Sequence, residues 1–541
     1  MYENIYRRTV YKTYQRFEWL ALGSMLNILI SVLATIWLAR LMGPENYGLY
    51  AAALIIPSII SAIGDLGVGR AVTFYTASLR SSDPRRALEY FKSALLVVCL
   101  QSVFFVISII ASSSFLSVLL FNREYLTPYL QVASLIVFYA IVSSVINGGF
   151  LSFEKQRMVA LFMIAASIVR NFLAITFYIN SGKTIMALVG QALGYSLIAV
   201  IYLAQALRSL RGVGINLKLA LPMLKYGIPY AIGMLMITIS FQFYNIIAAS
   251  ILDNEMYGNF SAAWLIFSAA SVIPNALSIS FLPSFSESFE MISKNIDIFY
   301  GPAAKFSATI LVYFWLILGG FSNICVSIVY GNAYALAGDI LSYLMSVFLL
   351  SIIGWDVISS LLLALKKTKT IATMSLSGTG ISLVVFTTCQ RLGFVETLWL
   401  IPYALFSLYL VYTLVGFIYL YKRYKAKPAG PSTIKMFAVS IFLFYLTREH
   451  GLGTKVVLKI LGDSLLSYVL LIVLAAFWIG IVYLFVLASI GVIKKADYEI
   501  MKETILSFPV INFANIIVEG ALVAGIRTNS FLQKVFQKNS I

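Results

Sequence analysis

Apolar runs separated by short polar stretches fill this chain from Phe17 almost to its end. Fourteen segments can be drawn: Phe17–Ala39, Tyr47–Gly67, Phe91–Leu116, Leu126–Phe150, Met158–Ile179, Thr184–Leu207, Ala220–Leu252 and Met256–Phe281 in the first half. Phe306–Val329, Ala335–Leu365, Ile371–Gln390, Val395–Tyr421, Ile434–Leu446 and Leu465–Val492 follow. An apolar run of about 18 or more residues reads as a membrane-crossing helix, and open sheets leave edge N–H and C=O groups unpaired in lipid. The pattern predicts an all-α polytopic membrane protein of about 14 transmembrane helices, the thirteenth being short for the hydrocarbon core. A later apolar stretch, Phe508–Ile526, contains Glu519 and is expected to lie on the membrane surface, with a fifteenth span as the alternative.

The same phrase is written twice. "GPENYGLY" (Gly43–Tyr50) and "DNEMYGNF" (Asp253–Phe260) each join an odd-numbered span to the next even one. Glu45, Tyr47, Gly48 and Tyr50 match Glu255, Tyr257, Gly258 and Phe260, and Ala52, Ala53 and Ile56 match Ala262, Ala263 and Ile266. Locally the phrase starts helices. Pro44 suits the first helical position, Asp253 suits an N-cap, and Glu45 and Glu255 face the positive end of the helix dipole. Gly48 and Gly258 allow close helix approach. A weaker echo pairs "FEKQR" (Phe153–Arg157) with "LKKTK" (Leu365–Lys369). Six spans separate the copies, so the halves repeat in parallel, and substrate sites of such transporters lie at the repeat interface. The expected organisation is a basic N-terminal segment, 1–16, six spans over 17–210, six over 211–425, two extra spans over 426–492, and a cytoplasmic tail, 493–541.

Charge orients the chain. Only 11% of residues are charged, against about 25% in a soluble domain. With the N-terminus inside, most of the 39 Lys and Arg residues fall in the inside loops, as membrane topology favours. Both termini are expected in the cytoplasm and the chain in the plasma membrane. The net charge of +17 is then a topology signal rather than a nucleic-acid one. The three cysteines, Cys99, Cys325 and Cys389, sit in apolar runs without metal or disulfide spacing, and His450 sits in a polar loop. No metal and no cofactor is implied, and no phosphate-binding loop for ATP occurs.

Arg40–Leu54, "RLMGPENYGLYAAAL", followed by Asp65–Ala77, "DLGVGRAVTFYTA", resembles the polysaccharide and O-antigen-type flippases of the multidrug/oligosaccharidyl-lipid/polysaccharide exporter superfamily. The likeness extends to the six-plus-six-plus-two layout and the "KKADYEIMKE" tail. It implies a V-shaped pair of lobes whose cavity is lined by spans one, two, seven and eight. The implied cargo is an oligosaccharide on a polyprenyl or dolichyl (di)phosphate, moved from the cytoplasmic to the outer leaflet by alternating access. It also implies working beside glycan-assembly enzymes, with a monomer favoured. By analogy with murein-precursor flippases, spans thirteen and fourteen would hold the lipid tail. A cation-coupled multidrug or metabolite antiporter of the same superfamily is the alternative, and a membrane-embedded glycosyltransferase or polymerase a remote one. Short outside loops and a single histidine count against an enzyme.

Polar residues inside spans are the candidates for function. Arg170 lies roughly 13 and 18 Å from the two ends of span five at 1.5 Å per residue, too deep to snorkel. It is the first candidate for a phosphate contact, with a helix-to-helix contact as the structural alternative. Asn27 in span one and Gln242 and Asn245 in span seven suit sugar hydroxyls or interhelical bonds. Asp356 in span ten is a candidate for ion coupling. Asp65 and Arg70 of "DLGVGR" are candidates for gating the inner face or binding diphosphate.

Overall fold

The computed structural model describes residues 2–287, 296–365, 367–393, 396–426, 431–449, 465–495, 497–498 and 518–530. Every regular element among them is helical. In chain order these are α1 (Tyr2–Ile63), α2 (Val68–Leu79), α3 (Pro84–Phe121), α4 (Thr127–Ser152), α5 (Gln156–Ser181), α6 (Thr184–Ser209), α7 (Ala220–Ile251), α8 (Asn254–Ala270) and α9 (Val272–Glu287). There follow α10 (Asp297–Gly320), α11 (Ser322–Tyr330), α12 (Ala335–Met345), α13 (Trp355–Ala364), α14 (Thr368–Leu392), α15 (Thr397–Tyr424), α16 (Pro431–Glu449) and α17 (Leu465–Ser489). All fourteen apolar segments carry helix. Among the described residues, ten helical stretches are long and apolar enough to cross a membrane, one of them, Leu22–Leu79, holding the first two predicted spans. His450 and residues 508–517 of the expected surface stretch lie outside the described residues.

The chain divides into two compact units, Met1–Ser261 and Ala262–Ile541. In the first, α1 breaks at Gly43, whose backbone (φ 71°, ψ 169°) is non-helical. A side chain there would meet nothing within 4 Å, so the positive φ and not crowding requires glycine. Pro44 then restarts the helix, as its place in the phrase predicts. The core joins Val72 of α2, Phe91 and Val98 of α3, Ile141 and Phe150 of α4, and Tyr202 of α6. Small residues let α5 and α6 meet backbone to backbone: a Cβ on Gly194 would lie 2.5 Å from the Arg170 Cα.

In the second unit, Tyr300, Val357, Leu361, Met374 and Leu420 form a core shared by α10, α13, α14 and α15. The two C-terminal spans pack on α10. Trp315 stacks on Phe444 with centroids 4.4 Å apart and rings 7° from parallel. The Tyr313 hydroxyl donates to the Ala476 carbonyl at 3.0 Å, and Arg448 Nη2 donates to Asp339 Oδ1 at 2.6 Å. The tail is also fastened: Lys305 pairs with Asp497 at 2.5 Å, and residues 518–530 form a helix in which Gly525 abuts Ala488.

The segment expected as an unbroken tenth span is interrupted. After α12 the chain tightens into a 3-10 stretch, Ser346–Ile352, then passes through Gly354 in the left-handed region (φ 85°) before α13 begins. First-turn N–H groups without an intrahelical partner therefore arise inside an apolar run, and Asp356 sits among them, in the first turn of α13.

Candidate functional site

Arg170 is the centre of a polar cluster in the first unit. It stands midway along α5, with Ser167 three residues before it on the same helical face and Asn171 next to it in the chain, one turn after Ser167. Asn27 and Ser31, one turn apart on α1, meet that face. Arg170 Nη2 donates to the Ser31 hydroxyl at 2.7 Å. The Ser31 and Ser167 hydroxyls are 2.8 Å apart, and Ser31 Oγ donates to the Asn27 carbonyl at 2.6 Å. The Asn171 amide donates to the Ser167 carbonyl at 2.8 Å. The guanidinium carbon lies 5.1 Å from the Tyr195 ring centroid, within cation–π range. Tyr195 in turn contacts the Tyr139 ring at 4.6 Å. Close by, Tyr50 donates to Gln191 Oε1 at 2.8 Å.

Among the described residues Arg170 makes no ion pair. A carboxylate beside it would cancel its charge; a hydroxyl and a ring face hold it without doing so. A guanidinium carries five N–H donors in a planar fork, so the arrangement retains capacity for a planar or tetrahedral anion. Of this cluster the sequence names Arg170 and Asn27 as candidates, and it does not single out Ser31, Ser167, Tyr139 or Tyr195. The helical spacing of Ser167 with Arg170 and of Asn27 with Ser31 was the available signal.

Gln242 and Asn245 form a separate group. Asn245 Nδ2 donates to Gln242 Oε1 at 3.0 Å, and Gln242 Nε2 donates to Ser58 Oγ on α1, also at 3.0 Å. Gln242 is thus engaged in an α1–α7 contact, and Asn245 supports it from within α7.

Asp65 caps a helix. Its carboxylate accepts from the Gly67 N–H at 2.9 Å, the Gly69 N–H at 3.2 Å and the Ser144 hydroxyl at 2.5 Å. These bonds hold the turn that starts α2, in which Leu66 and Gly67 both have positive φ. Arg70 lies one turn further on, on the exposed face of α2.

The second unit holds a carboxylate instead of a cation. Asp356 is 2% exposed. Ser307 donates to its Oδ2, whereas its Oδ1 has no partner among the described residues. Ser278 donates to the Asp356 carbonyl at 3.2 Å, and the Ser278 and Ser360 hydroxyls are 2.6 Å apart. The first-turn N–H groups of α13 favour a negative charge there. No group of His, Cys, Asp and Glu residues able to hold a metal ion occurs among the described residues.

The repeated phrase is repeated in three dimensions. Tyr47 and Tyr50 pack with centroids 6.3 Å apart and rings at 25°; Tyr257 and Phe260 pack at 6.2 Å and 26°. Asp253 is the N-cap, accepting from the Met256 N–H at 2.7 Å. The copies also touch. A Cβ on Gly48 would fall on the Asn254 carbonyl and 2.8 Å from the Gly258 nitrogen, and one on Gly258 would fall on the Pro44 carbonyl. Arg123 fastens the junction, donating from Nη1 to Asn254 Oδ1 at 2.7 Å and from Nη2 to the Leu252 carbonyl. Another such contact joins the start of α2 to α7, where a Cβ on Gly67 would lie 2.6 Å from the Gly227 Cα.

Comparison with known proteins places this geometry. The sequence model of the family described as "Polysaccharide biosynthesis protein" matches residues 14–289. The structure is similar to that of lipid II flippase MurJ in an inward closed conformation, with 14% sequence identity, a TM-score of 0.62, and coverage of 86% of this chain and 97% of that one. It is also similar to an inward-facing multidrug resistance MATE family transporter of the MOP superfamily, with 16% identity, a TM-score of 0.58, and coverage of 76% and 98%. The fold is therefore that of MOP-superfamily transporters. No curated protein sequence matches the chain.

Proposed function

The chain belongs to the polysaccharide biosynthesis protein family, and from that premise we propose that it is a flippase for lipid-linked oligosaccharide and not an enzyme. The cargo is a polyprenyl- or dolichyl-(di)phosphate sugar, moved from the cytoplasmic to the outer leaflet of the plasma membrane for surface-glycan assembly. The observation that carries this reading is Arg170: a guanidinium in the middle of a membrane helix, held by Ser31 and Tyr195 and paired with no carboxylate among the described residues. Such a group suits the (di)phosphate, and the hydroxyls around it suit the sugar. Asn27, Gln242 and Asn245 add hydrogen-bonding capacity along α1 and α7.

Transport proceeds by alternating access. The six-span halves, 17–210 and 211–425, move against each other while the lipid tail stays in the bilayer, with both chain termini in the cytoplasm. Asp356, buried with one unpartnered oxygen, is the group whose protonation or cation binding couples the cycle to an ion gradient. The same carboxylate favours a second reading, a cation-coupled multidrug or metabolite antiporter.

Deleting the gene distinguishes them. A flippase predicts accumulation of lipid-linked oligosaccharide with loss of surface glycan, restored by the wild-type chain. Unchanged glycan with altered sensitivity to toxic cations supports the antiporter and overturns the flippase.

A further inference from the structure

The amphipathic helix α2 buries Val68, Ala71, Val72 and Thr76 and exposes Arg70, Phe74, Ala77 and Ser78. Phe74 is out of place on that face. It is 51% exposed, yet its ring is held in a defined frame. It stacks on Tyr226 of α7, itself 43% exposed, with centroids 5.0 Å apart and rings 12° from parallel. Tyr75 braces both rings edge-on, at 5.3 Å from Phe74 and 6.0 Å from Tyr226. Tyr75 is in turn stacked on Tyr90 at 4.9 Å and 7°, and Tyr90 is only 6% exposed. The array is thus buried at one end and open at the other. Arg70 lies four residues before Phe74 on the same helical face.

We propose that Phe74 and Tyr226, with Arg70, form a carbohydrate-stacking site at the end of the first unit where α2 begins, which receives the head of a lipid-linked sugar. The proposal rests on the flippase reading above and adds a site apart from Arg170. A pyranose ring has a face of C–H groups carrying partial positive charge, and an aromatic ring presents a negative π face to it. The phosphate of the same molecule is the natural partner of a guanidinium.

The test is binding to the purified full chain in lipid nanodiscs, with farnesyl diphosphate and farnesyl diphosphate-linked N-acetylglucosamine as probes. Wild type is expected to bind the sugar-bearing probe roughly tenfold more tightly, the scale of an aromatic contact beyond simple burial. Phe74→Leu and Tyr226→Leu should erase that preference and leave the bare diphosphate unaffected. Phe74→Tyr should keep it, and Arg70→Gln should weaken both probes alike. Phe74→Leu with the preference intact makes the ring an apolar membrane anchor and overturns the site, as does a wild type without preference. Because this readout is binding, a failed stacking site leaves the deletion phenotype standing. An unchanged deletion strain removes the flippase reading independently.

Discussion

Gly48 and Gly258 occupy the same position in the two copies of one phrase, and each lies where the other copy's helix start leaves no room for a Cβ. The repeat thus contains the contact that joins its copies. Gly48→Ala and Gly258→Ala should each overpack this crossing, at a cost of about 1–3 kcal/mol, because the obstructing atoms are backbone carbonyls. Gly43→Ala should cost a comparable amount, about 1–3 kcal/mol, for a different reason: its backbone (φ 71°, ψ 169°) is a conformation essentially reserved for glycine. Thermal unfolding of the purified variants checks these losses; an alanine variant at position 43 as stable as wild type would contradict the backbone account.

Asp65 accepts three hydrogen bonds that start α2. Asp65→Ala should destabilise the protein by about 1–2 kcal/mol, as for loss of a helix N-cap. Asp65→Asn, which keeps an acceptor, should lose less. Proteolysis between α1 and α3 is the local readout, with faster cleavage in the alanine variant.

Helix α16 is held by an apolar contact to α10 and a charged contact to α12, and the two are of unequal worth. Phe444→Ala removes a ring stacked on Trp315 and should cost about 3–5 kcal/mol. Arg448→Ala breaks a partly exposed pair with Asp339 and should cost no more than about 1 kcal/mol. Unfolding midpoints in detergent decide the order, and a larger loss at position 448 would show that the charge holds the span.

How much of this was readable in the sequence depends on range. Long apolar runs disclosed the helices because lipid permits little else. Pro44 and Asp253 disclosed helix starts through local chemistry. The break at Gly354 was hidden, because residues on either side are apolar and a single glycine in such a run is often tolerated. Helix α2 falls wholly beyond the predicted second span, Tyr47–Gly67, because its apolar face is too short to read as a span of its own. Arg170 stood out by its depth, but its partners Ser31, Tyr139 and Tyr195 come from three other helices and no local pattern connects them. Likewise nothing near Gln242 announced its bond to Ser58.

Asp356 is buried with one carboxylate oxygen unpartnered. Asp356→Asn should fold normally, since the amide can still accept from Ser307, and should lose dependence on an imposed proton or sodium gradient. The measurement is uptake of lipid-linked oligosaccharide in proteoliposomes with and without each gradient. Gradient-driven transport retained in the variant would remove Asp356 from coupling.

Arg170 bears most directly on the central claim. The decisive measurement is lipid-linked oligosaccharide and surface glycan in a deletion strain carrying wild type, Arg170→Lys or Arg170→Ala at equal membrane abundance. Wild type should restore glycan, lysine should restore part of it because it keeps charge without the planar fork, and alanine should leave lipid-linked oligosaccharide accumulated. Full restoration by Arg170→Ala would contradict the assignment of this guanidinium to the cargo phosphate.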